Sequence, residues 1–267
     1  MQPSATTSPK LSLVPPLSDE VADPAELFES IELGLEGSKL QRMRYALGQA
    51  AAYVGASIRG DRRQSFLASL RFANAFAADS FPRIMKLIEA QPGGAELLED
   101  RPAMLPEGAL AQLRAFPADT LGGAYVRFLD ARGIDPNFNQ HGDPSASRLA
   151  WVRSRMFMVH DLWHVIANID IHPAGEVGMA AFSAGQMRGV HSVKVLTLVY
   201  GLMSGPAVFP LVWRAYRSGR QAKSLLAMRW ESLWTLSLAE IRERLELVPN
   251  QIIEHTVDGA PLAGESH

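Results

Sequence analysis

The sequence predicts an all-α protein, a single multi-helix globular domain, and three observations carry that reading. Apolar residues recur every three to four positions along most of the chain, and almost nowhere does a strict apolar/polar alternation persist for five residues. Gly and Pro gather in short stretches that separate the periodic ones. The 267 residues are 47% apolar, enough to bury one sizeable core. No internal repeat and no linker is visible, which favours one domain over residues 25–250. Residues 1–24, rich in Pro, Ser and Thr, read as a disordered leader, and 251–267 as a short tail.

The elements follow in order. Ala25 to Gly60 predicts one or two helices, with Leu27, Ile31 and Leu35 at spacing four and Met43, Leu47 and Val54 continuing a stripe. Arg62 to Ala90 predicts a helix through Phe66, Leu70 and Phe76 and then a shorter one opened by Pro82. The Pro- and Gly-rich stretch 91–118 predicts short helices joined by turns. Asp119 reads as the N-cap of a helix running to about Ala131, ended by Gly133 and Pro136. The polar loop NFNQHGDPSAS leads into a long helix over Ser145–Asn168. Pro173, in a first-turn position, opens the next one. Ser192–Arg217 is the most apolar segment, and Trp230–Leu247 reads as a charged amphipathic helix.

Composition removes several functions. Acidic residues outnumber basic ones, 28 to 26, for a net charge of -2, so no broad basic face is expected and nucleic acid is not an expected partner. With no cysteine, thiolate nucleophiles, disulfides and thiolate metal sites are impossible, and any metal must be held by His, Asp or Glu. The opening residues carry neither a secretory nor a transit pattern. A cytoplasmic location is the expectation.

The stretch HDLWHVIANIDIHPAGE holds the chemistry. His160 and His164 are four residues apart, so on a helix both imidazoles reach one divalent ion. Asp161 lies about 100° round the helix from His160. It is a third ligand, an acceptor that fixes a histidine tautomer, or a general base. Asp170, His172, Pro173 and Gly175 mark a turn that lets Glu176 on the following helix face back at the histidines; Asp170 and His172 are competing ligands or, the preferred reading, caps of that turn. Two His with one or two carboxylates suit zinc or non-haem iron. Two histidines hydrogen-bonded to Asp and carbonyls, with no ion, are the plain structural reading. A zinc peptidase also uses paired His at this spacing but needs Glu beside the first, where this chain has the shorter Asp161.

These residues resemble the HDxxH-x11-E motif of the Coq4 family of ubiquinone biosynthesis proteins. Upstream, the segment Phe116 to Tyr125 is similar to the family's P-x-x-T-x-G-x-x-Y pattern, followed by Phe128 and Leu129. Gly175-Glu176, Phe182, Gln186 and Trp230-Glu231 continue the likeness, which covers roughly residues 115–247. The chain departs from the pattern at Met156–Val159, where many members carry a polar patch, and at Ser183, where members tend to have Glu.

The resemblance implies a metal-dependent, often dimeric helical protein at a membrane surface, working with other ubiquinone-biosynthesis proteins on a polyprenylated, 4-hydroxybenzoate-derived ring. C1 decarboxylation, in an oxidative form or not, is the step it implies, and a non-catalytic lipid-binding organiser is the other role attached to the family. It implies an ion held by His160, Asp161, His164 and Glu176, zinc first with iron or magnesium as alternatives, and Asp161 and Glu176 as catalytic carboxylates. Arg155, Tyr125 and Met187 are the implied substrate contacts. Arg155 is five residues before His160, where a substrate anion and a surface salt bridge are both within its chemistry. The expected location becomes the cytoplasmic side of a bacterial inner membrane.

A last feature suits a lipid. Val195 to Trp213 are nineteen residues with no charge and no histidine, bracketed by Lys194 and Arg214. Their length permits a membrane span, but Gly201, Gly205, Pro206 and Pro210 interrupt it. A buried helix, kink and helix is the preferred reading, with a groove for a polyprenyl tail beside it.

Overall fold

A computed structural model describes residues 38–106, 108–134, 144–204 and 206–250, and among these every regular element is helical. The expected leader, the tail, the helix around Leu27 to Leu35 and most of the NFNQHG loop lie outside the described residues. The described residues begin with two neighbours packed side by side, α1 (Lys39–Arg59) and α2 (Arg62–Ala77), joined at Asp61, whose carboxylate accepts from the Gln64 amide. A 3-10 turn leads into α3 (Phe81–Glu89), which carries Pro82 in its first turn as the sequence implied. Short helices α4 (Gly94–Asp100) and α5 (Ala109–Arg114) follow, then α6 (Leu121–Arg132).

The cap of α6 is Thr120 and not Asp119. The Thr120 hydroxyl accepts from the Gly123 amide, while Asp119 offers its backbone carbonyl to the Leu238 amide. Helix α7 (Arg148–Ala167) starts at a Ser147 cap and runs through the centre, packed on α3, α4, α6 and the last helix, α11 (Leu238–Arg244). Trp163, Tyr125, Phe182 and Trp230 fill the core beside it. The second half is the trio α8 (Pro173–Gln186), α9 (His191–Ser204) and α10 (Phe209–Gln221).

Two expectations are corrected here. Trp230–Leu247 is not one helix. Only a 3-10 turn at Trp230–Ser232 and the seven residues of α11 are helical, because the chain between them is a strap across the start of α6. Its Leu236 and Trp234 carbonyls accept from the Leu121 and Gly122 amides, donors that a helix N-terminus leaves without partners. Ser237 then starts α11 with a capping box to Glu240. The apolar run Val195–Trp213 does break into helix, kink and helix around a 3-10 turn at Pro206–Val208. It is only partly buried, however: Thr197, Val208 and Leu211 are covered, whereas Leu198 is 54% and Trp213 61% exposed. Among the described residues no helix is long and apolar enough to cross a membrane. A groove of about 390 Å³ does lie here, lined by Ala181, Ala184, Thr197, Val212 and Tyr216 with Lys194 at its edge.

Helices α8 and α10 touch backbone to backbone. A Cβ on Gly219 would stand 2.2 Å from the Phe182 carbonyl oxygen, and one on Gly185 2.6 Å from that of Tyr216. Buried Gln186 locks the pair by donating to Gly219 O at 2.6 Å and accepting from the Leu225 amide at 2.8 Å. Gly219→Ala is therefore expected to cost about 3 kcal/mol in urea unfolding, as other overpacked sites do. Gly48→Ala, where a Cβ meets nothing within 4 Å, is expected to be neutral or stabilising by up to about 1 kcal/mol. Equal losses at both positions would remove the close-approach argument.

Candidate metal centre

The last turns of α7 are fixed by two residues from the C-terminal part of the chain. Asn168 ends the helix in a left-handed conformation, and its side-chain amide donates to Asn250 O. Arg242 of α11 donates to the terminal carbonyls of Ile166 and Val165, a cation placed where the helix dipole favours one. His160 and His164 stand on this held segment, one turn apart.

The turn to α8 brings in the carboxylate. His172 caps α8 by accepting from the Gly175 amide, and Asp170 accepts from the Ile171 amide and from Arg132, with the guanidinium 2.7 Å away. Both cap the turn, as their sequence positions implied. Gly175 has no alternative here, since a Cβ would sit 1.9 Å from the Asp170 carbonyl oxygen. Its neighbour Glu176 is then aimed back across the turn at α7.

The three side chains converge. His160 Nε2 lies 3.1 Å from His164 Nε2 and 3.3 Å from Glu176 Oε2, and His164 Nε2 lies 3.5 Å from Glu176 Oε1. Ligand atoms at the tetrahedral corners of a zinc ion, each about 2.0–2.1 Å from it, stand roughly 3.3 Å apart, so the observed edges match such a site. The tautomer matches too. His164 Nδ1 donates to Ile169 O at 2.8 Å, which turns the Nε2 lone pair toward the cluster, as an orienting hydrogen bond does for metal-binding histidines. His164 is buried on the face of Phe128, whereas the side chains of His160 and Glu176 are 39% and 46% exposed. A cation would thus have three protein ligands and one side open to a small molecule.

Electrostatics point the same way. Burial opposes the charge on Glu176, but His164 and His160 override it and hold the carboxyl well below its ordinary range. Burial likewise works against a charged His160, yet the hydrogen bond and charge of Glu176, helped by Asp161, carry its pKa above the usual histidine value. The cluster is built to gather positive charge around one carboxylate.

The other expected site residues sit elsewhere. Asp161 is buried and does not belong to the set of three whose donor atoms approach within 4.8 Å, because the step of one residue turns it off the His160–His164 face. Its charge is felt by His160 on one side and by Tyr125 on the other. Tyr125 is fully buried, stacked on Trp234 at 5.6 Å with a hydroxyl that lacks a protein partner. Arg155 is an internal brace, donating to Met228 O and Glu231 and lying over the Trp151 ring. Met187 is buried as the C-cap of α8. Sequence reasoning missed Ile169, whose backbone carbonyl sets the His164 tautomer. No side-chain signal marks such a group.

An all-helical domain with two imidazoles and one carboxylate around an open point defines a class of helical proteins with a candidate metal centre of the catalytic kind. Comparison makes the class specific: residues 35–251 match the family model described as coenzyme Q (ubiquinone) biosynthesis protein Coq4, and the chain belongs to that family. It is 29% identical over 200 residues to the mitochondrial ubiquinone biosynthesis protein COQ4 of Pyricularia oryzae, covering 72% of this chain and 65% of that one. It is 28% identical over 225 residues to the mitochondrial COQ4 homolog 1 of Culex quinquefasciatus, covering 79% and 76%. A solved structure from Nostoc punctiforme shares the fold with a TM-score of 0.59 at 24% identity, over 76% of this chain and 96% of that chain. The expected location on a bacterial inner membrane is corrected by the curated COQ4 relatives, which are mitochondrial proteins of fungi and insects.

The Arg132–Asp170 pair yields a test. Burial acts to raise the Asp170 pKa, but the Arg132 charge and the Ile171 amide prevail and lower it from 3.8. Its contribution is present above that unfolded value and is lost as pH falls through the lower folded one. Asp170→Asn should cost about 1–3 kcal/mol at neutral pH, with the gap to the parent closing in urea melts below pH 3.8. A gap that stays constant with pH would show that the pair is not what holds the turn.

Proposed function

We propose that this chain holds a divalent cation through His160, His164 and Glu176 and removes the C1 carboxyl of a polyprenylated, 4-hydroxybenzoate-derived intermediate of ubiquinone biosynthesis. The observation that carries the reading is the triangle of three ligand atoms with edges of 3.1, 3.3 and 3.5 Å and one open side. Two nitrogen donors and one carboxylate suit zinc or iron better than magnesium, which prefers an all-oxygen shell. When bound, such an ion supplies Lewis acidity for a carboxylate or phenolate oxygen of the substrate.

The residues of the chain do the rest. Ile169 O holds the imidazole of His164 in its ligating tautomer, and Gly175 and Asp170 aim Glu176. Asp161 acts from the buried side of the cluster by favouring positive charge on His160. In the simple form of the reaction the bond from C1 to the carboxyl carbon breaks, carbon dioxide leaves, and the electron pair stays on the ring until a proton replaces the carboxyl. The oxidative form puts a hydroxyl there instead: one atom of dioxygen becomes that hydroxyl, and the other leaves as water with two electrons and two protons from an external two-electron donor.

A place for the tail supports the lipid part of the reading. Ala181 and Ala184, which line the groove, lie on the same helix as Glu176, about 8 and 12 Å further along its axis. Val177, Val208 and Leu211 form a separate apolar cluster beside the metal-binding carboxylate. A ring at the open side of the triad and a chain along α8 is the pose we propose. A substrate of this kind is dissolved in a bilayer, so the protein works at a membrane surface beside the other enzymes of the pathway.

Purified protein should contain zinc or iron at about one ion per chain, by elemental analysis. His164→Ala should lose the ion and lower release of labelled carbon dioxide from the carboxyl-labelled prenyl precursor by about a hundredfold or more. Quinone formation that survives His164→Ala, with enzyme complexes unchanged, would remove the catalytic role and leave the organiser reading.

A further inference from the structure

Charge is divided unevenly over this molecule. Helices α1, α2, α9 and α10 carry eleven Lys and Arg and not one Asp or Glu, although the chain as a whole has more acids than bases. Of the eleven large apolar residues that are exposed among the described residues, nine are on α1, α9 and α10. Cationic charge and unburied apolar surface thus occupy the same helices. These are packed in sequence, α1 on α2, α2 on α9 and α9 on α10, and Tyr200 of α9 ties the group together by donating to Ser69 O and meeting Phe72 edge-on.

Helix α1 shows the pattern most sharply. At 100° per residue, Leu40, Met43, Leu47, Ala51, Val54 and Ile58 fall within about 80° of arc, and all six are exposed. The opposite side holds Ala46 and Ala56, both buried, and half-buried Tyr53, so the helix already has a packed face and the stripe is a second one. Exposure reaches 64% at Leu47 and 81% at Ile58. Lys39, Arg44 and Arg59 flank the stripe and are exposed, whereas Arg42 is tied inward to Asp79. Apolar residues on one side with cations beside them is the pattern of a helix that lies in a lipid–water interface.

We propose that α1 is the docking helix by which this protein lies on an anionic phospholipid surface, with its apolar stripe among the acyl chains and Lys39, Arg44 and Arg59 among the phosphates. Charge decides between this occupant and a second copy of the chain. Pairing α1 with another α1 sets cation against cation with no carboxylate on either helix to answer it, whereas an anionic bilayer complements all of them. Exposed Trp213 and Phe209 on α10, with Arg214 and Arg217 beside them, extend the same character over a second helix. The inference rests on the reading of a membrane-dissolved substrate above, and it adds the face, the lipid charge and the residues.

Vesicle flotation of the full chain tests it. Binding is expected to vesicles that are about one-third anionic phospholipid, to be at least about tenfold weaker on pure phosphatidylcholine, and to fall as salt rises. Leu47→Glu with Ile58→Glu should abolish flotation, and Lys39→Glu with Arg44→Glu should weaken it about tenfold, with circular dichroism and Tm unchanged because all four side chains are exposed. Flotation that is indifferent to these changes, or equal on neutral vesicles, overturns the proposal. So does a dimer in lipid-free buffer that Leu47→Glu dissociates, since a second copy then occupies the stripe. The Leu47→Glu, Ile58→Glu protein should keep its bound ion and its activity on detergent-solubilised substrate. Loss of the ion-dependent reaction with flotation intact therefore counts against the proposed chemistry and not against the docking helix.

Discussion

The structure depends on one contact, the hydrogen bond from His164 Nδ1 to the carbonyl of Ile169. It closes the end of α7, because the acceptor lies just past the left-handed Asn168 where the helix stops. The same bond orients the second imidazole. Helix termination and ligand orientation are therefore a single event. The turn that follows inherits its direction from this point, and the 1.9 Å that a Cβ on Gly175 would leave to Asp170 O explains why the residue before Glu176 has no side chain.

A cluster of two imidazoles and a carboxylate at 3.1 to 3.5 Å holds its members together only while a proton or a cation sits between their lone pairs. The surroundings are arranged to resist its relaxation. Arg242 and Asn250 pin the last carbonyls of α7, and both come from the C-terminal part of the chain. Arg132, over the face of Phe128 at 4.2 Å, holds Asp170, while Phe128 itself stacks on His164. The three candidate ligands thus lie on helical elements whose ends are fixed by distant parts of the sequence, which keeps such a cluster preorganised.

How legible this was in the sequence follows from how local each cause is. His160, His164 and Glu176 were readable because helical spacing and a Gly-Pro turn are short-range facts. Asp161 was not readable in the same way: adjacency in sequence suggested a fourth ligand, but the helix turns it into the interior beside Tyr125, and only the packing reveals that. Arg155 was legible as the partner of a substrate anion or of a surface salt bridge, and not as an internal brace whose acceptors, Glu231 and Met228, lie more than seventy residues away. The strap at Trp234–Leu236 carried a helical pattern of apolar residues, and what overrode it was the demand of another helix, α6, for acceptors at its open N-terminus. Long-range hydrogen bonding has no sequence period, so no pattern could have shown it.

The apolar run Val195–Trp213 shows the converse error. Its lack of charge suggested burial; the break at the prolines was legible, but the exposure of Leu198 and Trp213 on the two resulting helices was not. A soluble fold gains nothing from exposing a Trp and a Leu on helices that also lack every carboxylate, because unmatched cations repel and apolar surface invites aggregation. In the docking proposed above, an anionic bilayer answers both features at once. Tyr200, between Ser69 and the charge of Glu176, shows how near that open face comes to the triad. In the proposed reading, a substrate with a polar ring and a greasy tail passes from that apolar surface to the cluster of His160, His164 and Glu176.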